Sequence, residues 1–278
     1  MLLCTVRGCR QPLRREARRW VCPRGHAFDV ARSGYANLLQ PHERRSRAPG
    51  DSAAAVAARR RIWSAAAMPP LFDSGGMAAA LHSVLDVGCG EGSWLASIDA
   101  PERHGIDISV PAIEAAAKRY PDCNWFVVNA DRFIPYSDGS FDLVTSITAR
   151  MNDAEFRRVL RDDGRLLVAI PALDDLIELR GGRPMRDRVE RTIAMFPSFE
   201  FVEQRRVTTT AHLDRQGIAD VLASSYRGMK IVDVEESDVT FSRDVLVFTA
   251  SSPPSRNHPS SSGKPCTSPA RRRGPRGA

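Results

Sequence analysis

Lysine is nearly missing from this chain. Of its 278 residues, 40 are basic, yet only Lys118, Lys230 and Lys264 are lysines, which leaves 37 arginines. A GC-rich coding sequence accounts for part of that bias. Also lacking is any apolar run long enough to cross a bilayer, and the N-terminus carries no secretory apolar segment. A cytoplasmic protein is therefore expected, in which structural disulfides among the six cysteines have no place. Aromatic residues are sparse at 7%, but 42% apolar content over this length can bury one substantial core beside a small extra module.

What the chain does contain is unevenly spread. The net charge of +7 conceals arginine clusters in the first 61 residues: "RREARR", "HERRSR" and "ARRRI". Planar guanidiniums on one face suit phosphates and stacked bases, although a solvated basic surface would read the same way. Cys4, Cys9 and Cys22 cluster near the N-terminus, whereas Cys89, Cys123 and Cys266 are scattered. Clustered cysteines in a reducing compartment point to metal. Cys4 with Cys9, and Cys22 with His26, supply two pairs of ligands for a structural Zn²⁺. Gly25 lets the second knuckle turn. Residues 1–40 have too little apolar periodicity to fold alone, so such a staple is needed.

Gln40–Ser52, "QPHERRSRAPGDS", reads as a connector. Asp51 or Ser52 then caps a helix through "AAAVAARRRIWSAAA" that stops at Pro69-Pro70. From Leu81 strands and helices alternate. "SVLDVG", "HGIDIS", "NWFVVNAD", "FDLVTSIT" and "GRLLVAIP" are the strands; "VPAIEAAAKRY" and "DAEFRRVL" are helices between them. The expected fold is α/β, a Rossmann-like parallel doubly wound sheet. Further on come a helix at Gln216–Ser225 and two late strands, "KIVDVEE" and "DVLVFTA". From Ser251 the text is Ser-, Pro- and Arg-rich and reads as a disordered tail.

The most informative line is "SVLDVGCGEGSW". Gly88, Gly90 and Gly92 follow a strand and let the backbone approach a ligand. Dinucleotide enzymes share such a triplet, but three features favour S-adenosylmethionine. Asp86 precedes the loop, where it can meet the ammonium of a methionine moiety. Glu91 inside the loop would repel a pyrophosphate. Asp107, with Ile108 beside it, ends the second strand and is placed to hold both ribose hydroxyls. Asp131, ending the third strand, is the candidate for the adenine amino group.

Missing motifs narrow the methyl acceptor. No Asp/Asn-Pro-Pro-aromatic element follows the fourth strand, as transfer to an exocyclic amine would need. No cysteine beside that strand could attack a cytosine ring. A ring nitrogen, a ribose oxygen or a small-molecule heteroatom remains, reached by in-line transfer that rests on orientation. Asp142, Arg150 and Asp153 are candidate helpers, and none is assigned as a base.

Taken together these residues resemble the large-subunit ribosomal RNA guanine-N1 methyltransferases, a family that includes forms giving macrolide-producing bacteria self-resistance. The resemblance spans about residues 4–180. It rests on the four candidate zinc ligands, "FDVARSGYANLL", "RSRAPGDS" with the following "AARR", "LDVGCGEG", "GIDIS", "AIEAAAKRYP", "FDLV" and "AEFRRVLRDDGRLLVAIP". It implies methylation of a guanine in a 23S rRNA hairpin near the peptide exit tunnel, with the zinc module gripping the RNA and the base flipped to the cofactor. It also implies a homodimer, which no spacing in the chain encodes. There are departures. Thr148-Ala149-Arg150 stands where the family has an aromatic-Ala-Pro element. Met68 replaces an aromatic residue that reaches the cofactor, and the first cysteine pair is two residues wider than usual. The domains expected are 1–40, a zinc-binding RNA-recognition module; 41–80, a linker and connecting helix; 81–250, the methyltransferase domain; and 251–278, the tail. A small-molecule methyltransferase and a non-catalytic RNA-binding homologue remain the alternatives.

Overall fold

The computed structural model describes residues 1–43, 49–64, 81–224 and 235–250. The N-terminal module folds around three short strands, β1 (Arg14–Glu16), β2 (Arg19–Val21) and β3 (Ala27–Asp29), paired antiparallel in that order. Each is too short to hold itself together in water. A fourth strand, β4 (Ala36–Asn37), leaves this sheet and joins the large one. Helix α1 (Ala53–Ser64) follows, its first turn capped by Ser52, whose Oγ accepts from the Ala55 N–H at 3.2 Å.

The α/β domain proper runs β5 (Ser83–Val87), α2 (Ser93–Ala96), β6 (Glu102–Asp107), α3 (Val110–Arg119), β7 (Asn124–Val127), β8 (Phe141–Ile147), α4 (Asp153–Val159) and β9 (Leu160–Pro171). These strands pair in parallel in the order β7-β6-β5-β8-β9. The chain reverses direction across the sheet between β5 and β8. In open α/β sheets the crevice beyond the carboxyl ends of such a pair is where ligands bind. β5 is buried along its whole length, as a strand covered on both faces must be.

The sheet is not parallel throughout. After α5 (Val189–Ile193), β10 (Phe199–Leu213) and β11 (Ser237–Ala250) form a long antiparallel pair that adds to β9, with α6 (Arg215–Ser224) between them in sequence. The expected parallel sheet is corrected at this edge, because β11 enters beside β9 from the opposite end and buries Val239, Phe241 and the run Val245–Phe248. β10 is the outer edge and is mostly exposed. Of the expected strand "KIVDVEE", residues 230–234 lie outside the described residues, and Glu235 and Glu236 precede β11 without joining it.

One core links module and domain. Cys4, Leu13, Cys22, Phe28 and Val30 pack in the same cluster as Phe126, Tyr136, Phe141 and Leu166. Trp20 meets Phe126 edge-on, with centroids 5.8 Å apart, and β4 pairs parallel to β7 through Ala36 and Asn37. An aromatic contact of this kind adds about 0.5–1.5 kcal/mol beyond the area it buries. Tyr35 packs against the cluster of Trp94, Ile113 and Trp125. No helix among the described residues is long and apolar enough to cross a membrane.

Candidate zinc centre and cofactor site

Two turns bring the first four candidate ligands together. The Cys22 N–H donates to the His26 carbonyl and the Gly25 N–H to the Cys22 carbonyl, which closes the second knuckle; Gly25 turns it with φ +82°. The Cys9 N–H donates to the Val6 carbonyl and closes the first. The three sulfurs and one imidazole nitrogen all lie within 4.8 Å of one another. Cys9 and Cys22 Sγ are 3.8 Å apart, and His26 Nδ1 is 3.4 Å from Cys22 Sγ and 3.5 Å from Cys4 Sγ. Around a tetrahedral zinc with bonds near 2.3 Å to sulfur and 2.0–2.1 Å to nitrogen, ligand atoms sit roughly 3.5–3.8 Å apart. The donor set fits that ion. Burial raises the Cys22 thiol, but backbone donors from Arg24 and His26, together with hydrogen bonds from Cys9 and Cys4, outweigh it and bring the group down to about 7, toward the thiolate a metal needs. The wider first pair still closes on the cluster, its turn passing through Gly8 at φ +74° and Arg10 at φ +49°.

Around the module, Arg7, Arg10, Arg14, Arg15, Arg18, Arg24 and Arg32 are exposed. Only two acidic side chains, Glu16 and Asp29, lie on its strands, and Glu16 is tied to Arg19 at 2.7 Å. Arg44, Arg45 and Arg47 of the second cluster lie outside the described residues.

The glycine loop sits at the switch point between β5 and β8. Gly88, Gly90 and Gly92 all have positive φ. A side-chain carbon on Gly88 would strike Ala149, so this position is where the loop after β8 closes against the loop after β5. Gly92 answers a different need, since a side chain there would strike the Trp125 ring and Ala116. Its place is helix-on-strand packing beneath the loop. Asp86 is buried and accepts from Thr145 Oγ1 at 2.7 Å. Burial, with the charge of nearby Asp107 adding to it, outweighs that bond and raises its carboxyl to about 7. Asp107 accepts the Gly90 N–H on one oxygen at 3.0 Å and the Ser109 N–H on the other at 2.8 Å. It thereby fixes both the glycine loop and the start of α3. Glu91 is buried and turns back on Ser93, accepting its Oγ–H at 2.8 Å; Ser93 in turn contacts the Tyr120 hydroxyl at 3.1 Å. Ile108 is half-buried beside Gly50. Asp131 lies on the same rim, exposed, with Arg150 Nε 3.5 Å away. Met68 lies outside the described residues, as does the expected end of α1 at Pro69-Pro70.

Two candidate helpers are placed elsewhere by the fold. Asp142 begins β8, at the opposite rim of the sheet, where it accepts from the His82 and Ser83 N–H groups and pairs with Arg161. Asp153 opens α4 and accepts from the Ser198 N–H and Oγ–H. Both are structural. Arg150 alone stays at the cofactor rim. Thr148, just before it, has φ +50°, a conformation that a β-branched residue adopts at a cost of about 1–3 kcal/mol. The segment that departs from the family pattern is thus a strained turn closed over the first glycine.

Residues 84–168 match the family model described as Methyltransferase domain, and residues 3–47 match the model described as RlmA, N-terminal, a zinc ribbon. The Streptomyces fradiae protein named 23S rRNA (guanine(748)-N(1))-methyltransferase is 35% identical over 231 residues, covering 77% of this chain and 81% of that protein. The chain belongs to the 23S rRNA guanine-N1 methyltransferase family. A Bacillus subtilis member, named "Putative 23S rRNA (guanine-N(1)-)-methyltransferase YxjB", is 33% identical over 258 residues, or 81% of this chain and 88% of its own. Membership joins the two sites just described: a zinc ribbon, and a Rossmann-like domain built for S-adenosylmethionine.

Sequence reasoning missed one residue at this site, Arg59. Its Nη1 is bonded to Asp51 at 2.6 Å and would lie 3.3 Å from a side-chain carbon placed on Gly90. The only signal was the "AARR" that follows "GDS".

Proposed function

We propose that the chain transfers a methyl group from S-adenosylmethionine to N1 of a guanine in 23S rRNA. The more specific reading is a hairpin near the peptide exit tunnel, with macrolide self-resistance as the outcome. One observation carries most of it: a zinc ribbon rimmed by exposed arginines shares a single core with a glycine-loop domain. A metabolite enzyme has no use for that module. In this reading Cys4, Cys9, Cys22 and His26 hold zinc, and residues 1–40 recognise RNA.

The cofactor supplies an activated methyl on a positive sulfonium. The protein's part is orientation. Asp107 holds the ribose hydroxyls, Asp86 faces the methionine ammonium, and Asp131 takes the adenine amino group. Gly88, Gly90 and Glu91 shape the loop, and Ile108 forms a wall. Guanine must lose its N1 proton, which leaves negative charge shared with its carbonyl oxygen. Arg150, exposed at the same rim, supplies a cation for that charge.

The test is transfer of radiolabel from S-adenosylmethionine to protein-free 23S rRNA. Ribonuclease-sensitive label is expected, and label that appears only in small molecules would refute the reading. The Asp86 assignment has its own pH signature. Below about 7 the carboxyl is protonated in the free protein and must release that proton to pair with an ammonium. Cofactor affinity therefore rises with pH, by up to about tenfold per unit below pH 7, and levels off above it. Titration calorimetry from pH 5.5 to 7.5 measures this. In Asp86→Asn the slope vanishes; an unchanged slope would place the ammonium elsewhere.

A further inference from the structure

Helix α1 was expected to be a connector, but its position is that of a roof. Before it, a side chain on Gly50 would crowd Ser109 and Ile108, and the Asp51 carbonyl accepts from Ser109 Oγ at 2.7 Å. Within it, Arg61 forms a bidentate pair with buried Asp220 on α6, both bonds 2.6 Å long. These contacts fix α1 above the end of β6 and the glycine loop.

Between them Arg59 points down at the loop. Asp51 holds Nη1 at 2.6 Å and the Ser224 carbonyl accepts from Nη2 at 3.2 Å. A guanidinium has five N–H groups, so these two bonds leave donors for a ligand. The side chain is 27% exposed, open enough to be met and enclosed enough to count electrostatically. It lies 3.3 Å from where a side chain on Gly90 would begin, within the space the glycines keep clear.

S-Adenosylmethionine brings three charges to that space: a sulfonium, an ammonium and a carboxylate. The loop's own groups, Asp86, Glu91 and Asp107, are all acidic, and none can receive the carboxylate. We propose that Arg59 receives it, with Asp51 and the Ser224 carbonyl orienting the guanidinium over Gly90. The inference rests on the cofactor reading above and extends it. The linker helix, as well as the glycine loop, then reads the amino-acid half of the cofactor. An arginine presents a planar fork that matches a carboxylate with two parallel bonds.

The experiment compares two ligands on the full-length protein, without RNA. S-Adenosylhomocysteine carries the amino-acid carboxylate; 5′-methylthioadenosine lacks the whole amino-acid group. Arg59→Ala is expected to weaken S-adenosylhomocysteine binding on the order of 10- to 100-fold, the range for a lost charge-assisted pair. Methylthioadenosine should change less than about twofold. Arg59→Lys keeps the charge and should retain more of the S-adenosylhomocysteine affinity than Arg59→Ala. Equal losses for both ligands would make Arg59 a pin for α1 and overturn the proposal, as would no loss for either. A wild-type protein that binds neither ligand would remove the cofactor reading itself, a distinct failure.

Discussion

Replacing Cys22 with alanine is expected to empty the zinc ribbon and unfold residues 1–40. A structural zinc of this type contributes about 10–16 kcal/mol of binding free energy that is also folding free energy. Three strands of three residues each have nothing comparable to replace it. The damage should spread beyond the module. Trp20 packs on Phe126, Leu3 donates its N–H to the Pro135 carbonyl at 2.8 Å, and β4 pairs with β7. Metal analysis should fall from one zinc per chain to none, and proteolysis should cut before residue 40. The melting temperature of the remainder should drop by roughly 10 °C, if the lost docking is worth about 3–4 kcal/mol. A variant that keeps its melting temperature and protease resistance would mean that the cysteines are merely buried thiols.

Asp107→Ala should be the most damaging single change at the cofactor site. The carboxylate is half-buried and ties the N–H groups of Gly90 and Ser109, so its loss frees the loop and the start of α3 together. Burial works against the charged form and raises the group, while those two backbone bonds pull the other way. Losing charge-assisted bonds to both loop and ribose is worth at least about 3 kcal/mol, or more than 100-fold in affinity. In the proposed reading Asp107 acts on the nucleoside half, so methylthioadenosine binding should fall along with S-adenosylhomocysteine binding. That pattern separates it from Arg59→Ala, for which only S-adenosylhomocysteine binding should fall. If methylthioadenosine still bound normally, Asp107 would be a loop brace that does not touch the ribose.

Much of this was legible in the text, for local reasons. A zinc knuckle and a glycine loop are short motifs whose spacing is their geometry. Four of the five parallel strands carry apolar runs because much of both faces is buried, whereas β6, Glu102–Asp107, is marked by its place after the glycine loop. β10 carried no such signal: "EFVEQRRVTTTAH" is an edge strand with most of its side chains in solvent, so neither apolar run nor alternation marks it. The antiparallel turn of β11 is a tertiary decision that its own residues do not encode. The same holds for β4, two residues long, which reads as part of the zinc module until β7 is beside it. Asp142 and Arg59 were misjudged in opposite directions. Asp142 was grouped with Arg150 and Asp153 beyond the fourth strand, yet as the second residue of β8 it sits at that strand's entrance. Arg59 is far from the glycine loop in sequence, and the pairing of Asp51 with a residue two turns up the helix brings it there.

The position of the transferred methyl group is the most direct measure of this enzyme's chemistry. Purified protein, S-adenosylmethionine and 23S rRNA without native modifications should be incubated together, and the RNA then copied by primer extension. A methyl on guanine N1 blocks Watson–Crick pairing, so a cofactor-dependent stop at one guanine is predicted, lost in both Cys22→Ala and Asp107→Ala. Label incorporated with no stop would contradict the account, since the methyl would then lie on an atom that leaves pairing intact.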